Sequence, residues 1–251
     1  QLIDTLKTVP KFKTYYNLVS ILESGYIELD KQNIDIGDVY SIFGYNQAEG
    51  NRLRAGARTF RGQNDLWRLE GYVAYGFSDK KFKHGFFAQA ILDPKIRLLI
   101  SGGHRRDIEQ LGLSLTATND LMGRSIASSS FFTVGNNDKL SQINLTAFTL
   151  SAEPVKNLTM SLGASYRRVQ AALPELFPLD FVYEPTMLGS KNSLNQLDFT
   201  ARMLYTPGRK VIGYGVDPKP VNEDYPRLMV QYVHGQKNLL DSDFNFNRVQ
   251  L

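Results

Sequence analysis

Hydrophobic and polar positions alternate along this chain in segments of about ten residues, most clearly over 66–77. There Trp67, Leu69, Gly71, Val73, Tyr75 and Phe77 share one side, and Arg68, Glu70, Tyr72, Ala74 and Gly76 share the other. A two-residue period is that of a β-strand. A tilted strand of about 9–11 residues is long enough to cross a bilayer, and aromatics at both ends of an apolar face match the girdles of outer-membrane barrels.

The same pattern recurs along the chain. Residues 51–60 set Leu53, Ala55, Ala57 and Thr59 against Arg52, Arg54 and Arg58, a mild side and a strongly basic one. Residues 82–92 set Phe82, Phe86, Ala88, Ala90 and Leu92 against Lys83 and Gln89. Leu158, Met160, Leu162, Ala164 and Tyr166 oppose Thr159, Ser161, Gly163, Ser165 and Arg167, and Leu197, Phe199, Ala201, Met203 and Tyr205 oppose Gln196, Asp198, Thr200 and Arg202. Leu228, Val230 and Tyr232 repeat the theme. Turn signals at 78–81, 93–95, 136–138 and 153–157 separate these runs into hairpins, about ten or eleven strands in all. Residues 34–45, the first strand candidate, alternate poorly, 107–124 break the pattern and read as a long loop or inward plug, and 126–134 pair with 140–152. The long connections at 104–125, 170–193 and 207–224 do not all fall on one side by this strand order, as a strict short-turn, long-loop barrel requires. Before the strands, Leu6, Val9, Phe12, Tyr15, Tyr16, Val19 and Leu22 recur at helical spacing over 5–24, interrupted near Pro10. That helix reads as packed on a neighbouring domain or on the barrel, with an interfacial helix on anionic lipid as the alternative.

The expected fold is therefore all-β, an antiparallel transmembrane β-barrel or a large part of one over 31–251, preceded by a short helical segment in 1–30. Composition changes this little. At 42% hydrophobic and 22% charged, 251 residues suit one domain. No run approaches the ~18 apolar residues of a membrane helix, which leaves a barrel untouched because its apolar signal is spread over alternate positions. Cysteine is absent, so disulfide and thiolate-metal frameworks are excluded. The net charge of +4 is scattered over alternating segments, so no nucleic-acid partner is expected. The start at Gln1 without a leader pattern, and the unfinished strand at 244–251, read as a segment cut from a longer protein.

Candidate chemistry is sparse. His84, His104 and His234 are far apart and lack metal-ligand spacing, and no Gly-x-Ser-x-Gly elbow surrounds Ser125, Ser128, Ser129 or Ser130. No catalytic, metal or cofactor site is expected, and the protein reads as non-enzymatic. The constellation that stands out is the polar face of the strands: Arg52, Arg54 and Arg58, beside Arg68 and Glu70, with Asp198 and Arg202 later in the chain. Facing a lumen, these residues would form a structural ion network or bias the interior toward anions, and small barrels that fill their interiors with side chains favour the network.

Several stretches carry a family resemblance: Gly44-Tyr45-Asn46, the run 49–59, Trp67-Arg68-Leu69-Glu70-Gly71-Tyr72, Gly102-Gly103-His104-Arg105-Arg106-Asp107, Asn119-Asp120, Glu153-Pro154-Val155-Lys156-Asn157 and 205–210. Over nearly the whole chain they resemble an uncharacterised Bacteroidota outer-membrane family whose members carry an amino-terminal carboxypeptidase-regulatory-like β-sandwich, a non-catalytic accessory module not present in this sequence. The opening strands are more distantly similar to Omp85 surface-antigen barrels, which insert or secrete proteins. The resemblance implies the bacterial outer membrane as location, its lipid and other envelope proteins as partners, and a role in envelope transport, protein export or assembly. The alternative is a structural or binding barrel with a plugged lumen that displays ligand-binding loops such as 173–192.

Overall fold

The computed structural model describes residues 9–29, 33–59, 62, 64–110, 139–182 and 190–251. The chain opens with a helix, α1 (Pro10–Ser24). Pro10 starts this helix, in the first turn where it has no amide bond to forfeit. Gly25 closes it in the left-handed conformation at φ 74°, donating its N–H to the Ile21 carbonyl at 2.8 Å. Tyr15, Leu18, Val19 and Leu22 remain exposed along one side of α1. Among the described residues no helix is long and apolar enough to cross a membrane.

The rest is antiparallel sheet. In chain order its strands are β1 (Tyr26–Leu29), β2 (Ile34–Gly37), β3 (Phe43–Asn46), β4 (Gly50–Thr59), β5 (Trp67–Gly76), β6 (Phe82–Asp93), β7 (Leu98–Gln110), β8 (Leu140–Val155) and β9 (Leu158–Ala171). The short pair β10 (Phe181–Val182) and β11 (Ser190–Lys191) precedes β12 (Ser193–Tyr205). A second short pair, β13 (Val211–Ile212) and β14 (Lys219–Pro220), precedes β15 (Leu228–Gly235) and β16 (Phe246–Gln250). The main sheet has twelve strands, ordered β1-β2-β4-β5-β6-β7-β8-β9-β12-β15-β16, with β3 also on β4. Each neighbour pair is antiparallel, and the pattern is a meander.

Three expectations need correction. The sheet is not closed into a barrel: β1 and β16 are its margins and do not pair with each other among the described residues. Residues 34–45 are not one strand, because β2 pairs with one end of β4 and β3 with the other, and a short 3-10 turn at Val39–Ser41 between them breaks the alternation. Residues 107–110 are not the start of a loop, because β7 runs through Gln110 in register with β8. The proposed strand at 126–134, the serines at 125–130 and most of the 107–124 segment lie outside the described residues.

The sheet curves. Strands β4 and β7 are three places apart, a separation of about 14 Å across a flat sheet. Yet Arg52 on β4 makes two hydrogen bonds to Asp107 on β7, at 2.6 and 3.0 Å. Gly103 marks close approach inside this curved wall, since a Cβ there would collide with the backbone carbonyl of Phe86 on β6. Replacing Gly103 with alanine should lower stability by about 1–3 kcal/mol, because a backbone atom cannot swing aside as a side chain can. An unchanged urea midpoint for the variant would contradict this packing.

Candidate functional site

Strand register sorts every side chain to one of two faces, and the two faces are inverted relative to a water-soluble sheet. On the concave side Arg52 and Glu49 are fully buried, and Arg58, Arg68, Lys83, Arg105, Asp107 and Glu109 are buried with them. On the convex side Trp67, Leu69, Val73, Phe86, Leu162 and Leu228 are more than half exposed.

The concave face is held by an ion network. Arg52 donates to Glu49 at 2.9 Å and to both oxygens of Asp107. Asp107 also accepts from the Tyr72 hydroxyl at 2.6 Å and from the Ile108 amide at 2.7 Å. Lys83 approaches Glu49 at 2.7 Å, and Asn46 donates to the other Glu49 oxygen at 2.6 Å. The Arg54 guanidinium lies 3.7 Å from the centre of the Tyr72 ring, a cation–π contact in place of an ion pair. On either side of Asp107 along β7, Arg105 and Glu109 pair with each other at 2.7 Å. Each buried charge of this cluster therefore meets an opposite charge, a ring face or a hydroxyl, the condition under which ions tolerate burial.

The remaining expected residues separate. Arg58 sits opposite Glu70 in register but pairs instead with Asp35 on β2, at 2.9 Å. Tyr26 joins the two: Arg58 lies 3.4 Å above its ring, and its hydroxyl donates to Glu70 at 3.4 Å. Asp198 is half-buried and accepts from Gln196 at 3.0 Å. Arg202 shares the concave face with Asp198, opposite Ser161 and Gln231, but is exposed. Four residues along a strand are about 13 Å apart, so these two share a face without pairing.

Arg68 is committed to a long connection. Residues 206–227 leave β12, and Arg209 pairs with Glu153 in the β8–β9 hairpin at 3.1 Å. The segment then meets Arg97 of the β6–β7 turn through the Gly215 carbonyl, at 3.2 Å. It reaches the start of β5, where Val216 donates to the Asp65 carbonyl at 2.7 Å and Asp217 pairs with Arg68 at 3.0 Å. This strap crosses one end of the sheet, the end opposite the 172–192 connection, so loops do not sort by length between the two ends. Asp217 is half exposed, and Asp217→Asn should cost at most about 1 kcal/mol globally. The same variant should speed proteolytic nicking between 206 and 227; unchanged nicking would mean that the other strap contacts suffice.

The convex face is an apolar belt. On β9 its outward residues are Leu158, Met160, Leu162, Ala164 and Tyr166, after which come Arg168 and Gln170. The belt extends about 27 Å along that strand, close to the ~25 Å band of outer-membrane barrels once tilt is allowed for. Trp67 and Tyr205 stand at one border, and Tyr75 packs on Phe82, with centroids 4.9 Å apart, at the other. A crevice of about 420 Å³ between Leu98, Leu150, Met160, Leu162, Met203 and Val230 opens on the same face.

His84 and His104 come together on this outward face with ring centres 5.5 Å apart, a neighbourhood that sequence spacing concealed. Among the described residues no group of three or more histidines or carboxylates is placed to hold a metal. Sequence reasoning also missed Glu49, Asp107, Lys83 and Glu109; the i, i+2, i+4 spacing of Arg105, Asp107 and Glu109 was the available signal, masked by Arg106 on the other face.

Comparison with curated proteins and with solved structures finds no match. One family profile does match, over residues 19–251: the C-terminal domain of the family of unknown function DUF5686. The inverted two-faced sheet is thus the architecture of a chain that belongs to the DUF5686 family, as its C-terminal domain.

Proposed function

We propose that this chain is a non-enzymatic β-barrel domain, or the larger part of one, in a bacterial outer membrane, serving envelope transport, protein export or assembly. The observation that carries the reading is the inversion of burial: charge is packed inside the curve and an aromatic-bordered apolar belt is left outside. A sheet that met water on its convex side would expose Leu162 and Val73 at a cost of about 1.5–3 kcal/mol each relative to burial, whereas lipid removes that cost. Outer-membrane lipid is then the principal partner, with other envelope proteins as further ones.

A second reading, a structural or ligand-displaying barrel with a plugged lumen, is favoured by one observation. Arg52, Glu49 and Asp107 fill the concave side with paired, buried charge where an open ion path would need water-exposed groups.

Two measurements on the full-length protein test these readings. Membrane fractionation with heat-modifiable gel migration should place it in the outer membrane as a barrel, and a soluble protein with no shift would overturn both. Planar-bilayer conductance then separates them: steady channels support transport, and a silent but inserted protein supports the plugged form.

A further inference from the structure

Two arginines break the inversion. Leaving aside the bulged hairpin ends at Asp93 and Glu153, register places the arginines, lysines, aspartates and glutamates of the twelve-stranded sheet on the concave face, except Arg106 and Arg168. These two point outward. They flank Asn144 in a single register row across β7, β8 and β9. In the next row Gln170 donates to Gln142 at 3.1 Å, and the five side chains line a cleft of about 340 Å³. Both arginines are exposed, and neither has an ion-pair or hydrogen-bond partner among the described residues.

Two strand spacings put the Arg106 and Arg168 backbones about 10 Å apart, within reach of one tetrahedral anion by two extended guanidinium side chains. Among the described residues the outward face supplies no carboxylate to either, which leaves both guanidinium groups open to an anion from outside the sheet. The row lies just beyond His104, Thr146 and Tyr166, where the apolar belt ends. An amphiphile lying on the wall would set its chains against Leu162 and Ala164 and bring its polar head to this cleft.

We propose that Arg106 and Arg168, with Asn144, Gln142 and Gln170, bind the phosphate of an anionic lipid headgroup at the border of the belt. This rests on the membrane reading above. Guanidinium forks match phosphate oxygens and the amides supply further donors, a set suited to a net-anionic phosphate head; the choline of a zwitterionic head sets its own cation against the two guanidinium groups.

The test is native mass spectrometry of the full chain folded in detergent and titrated with phosphatidylglycerol, phosphatidylcholine or inorganic phosphate. Phosphatidylglycerol should bind most tightly, and the double variant Arg106→Gln/Arg168→Gln should weaken it about ten-fold or more while phosphatidylcholine changes little. Arg106→Lys/Arg168→Lys, which keeps charge but loses the fork, should fall between and carries the test if the glutamine variant misfolds. Equal lipid affinity in wild type and variants overturns the headgroup site and leaves the membrane reading standing. Inorganic phosphate binding as tightly as the lipid makes this a free-anion site and overturns the lipid assignment. A wild-type chain that shows no heat-modifiable barrel overturns the membrane reading and the site with it.

Discussion

Replacing Leu162 with arginine should reduce insertion of the folded chain into lipid by about 2–4 kcal/mol, the cost of a cation on the lipid face near the midplane. Leu162 is 64% exposed on β9, in the middle of the outward row from Leu158 to Tyr166. Val73→Arg, at 52% exposed on β5, should behave alike. Adjacent positions supply the control, because one step along a strand reverses the face. Ser161 faces the concave side beside Arg202, and Gln89 faces it beside Arg68, so glutamate at either, a charge that meets an arginine, should be mild. Folding titrations into vesicles, followed by gel shift, would measure all four. Equal tolerance on both faces would remove the lipid assignment, since a water-exposed surface accepts arginine wherever side chains are free to extend.

The alternation read from sequence locates these faces because period-two patterning survives wherever a strand is long and unbroken. Strands β4, β5, β6, β9 and β12 were legible for that reason, and so was the common orientation of Arg52, Arg54, Arg58, Arg68 and Glu70. Strands β2 and β3 were not, because the turn at Val39–Ser41 shifts the chain between two pairings with β4. The partners were hidden by a different cause. Cross-strand pairs link adjacent strands, which suggests Arg58 with Glu70; curvature instead brings Asp107 from β7 to Arg52 on β4, and Asp35 from β2 outcompetes Glu70 for Arg58. Curvature is a property of the whole sheet, and no local pattern encodes it. Arg68 found Asp217, 149 residues away, through a strap whose course depends on loop contacts.

The buried network supplies the second large effect. Arg52→Ala should destabilise the folded domain by about 3–5 kcal/mol, because it strands Asp107 and leaves Glu49 with one cation fewer in a buried site. Asp107→Ala should cost a similar amount, stranding Arg52 and depriving the Tyr72 hydroxyl of its acceptor. The informative quantity is the double variant. If Arg52 and Asp107 act as one unit, removing both should cost clearly less than the sum of the single losses, since neither is then left as an uncompensated charge. Denaturant titration in lipid of the wild type, both single variants and the double variant yields that coupling. Simple additivity would mean that water already reaches these side chains and screens them, and a water-filled interior is what a conducting lumen requires. The cycle therefore bears on function as well as stability: strong coupling argues for a dry, plugged concave side, and weak coupling for an open one.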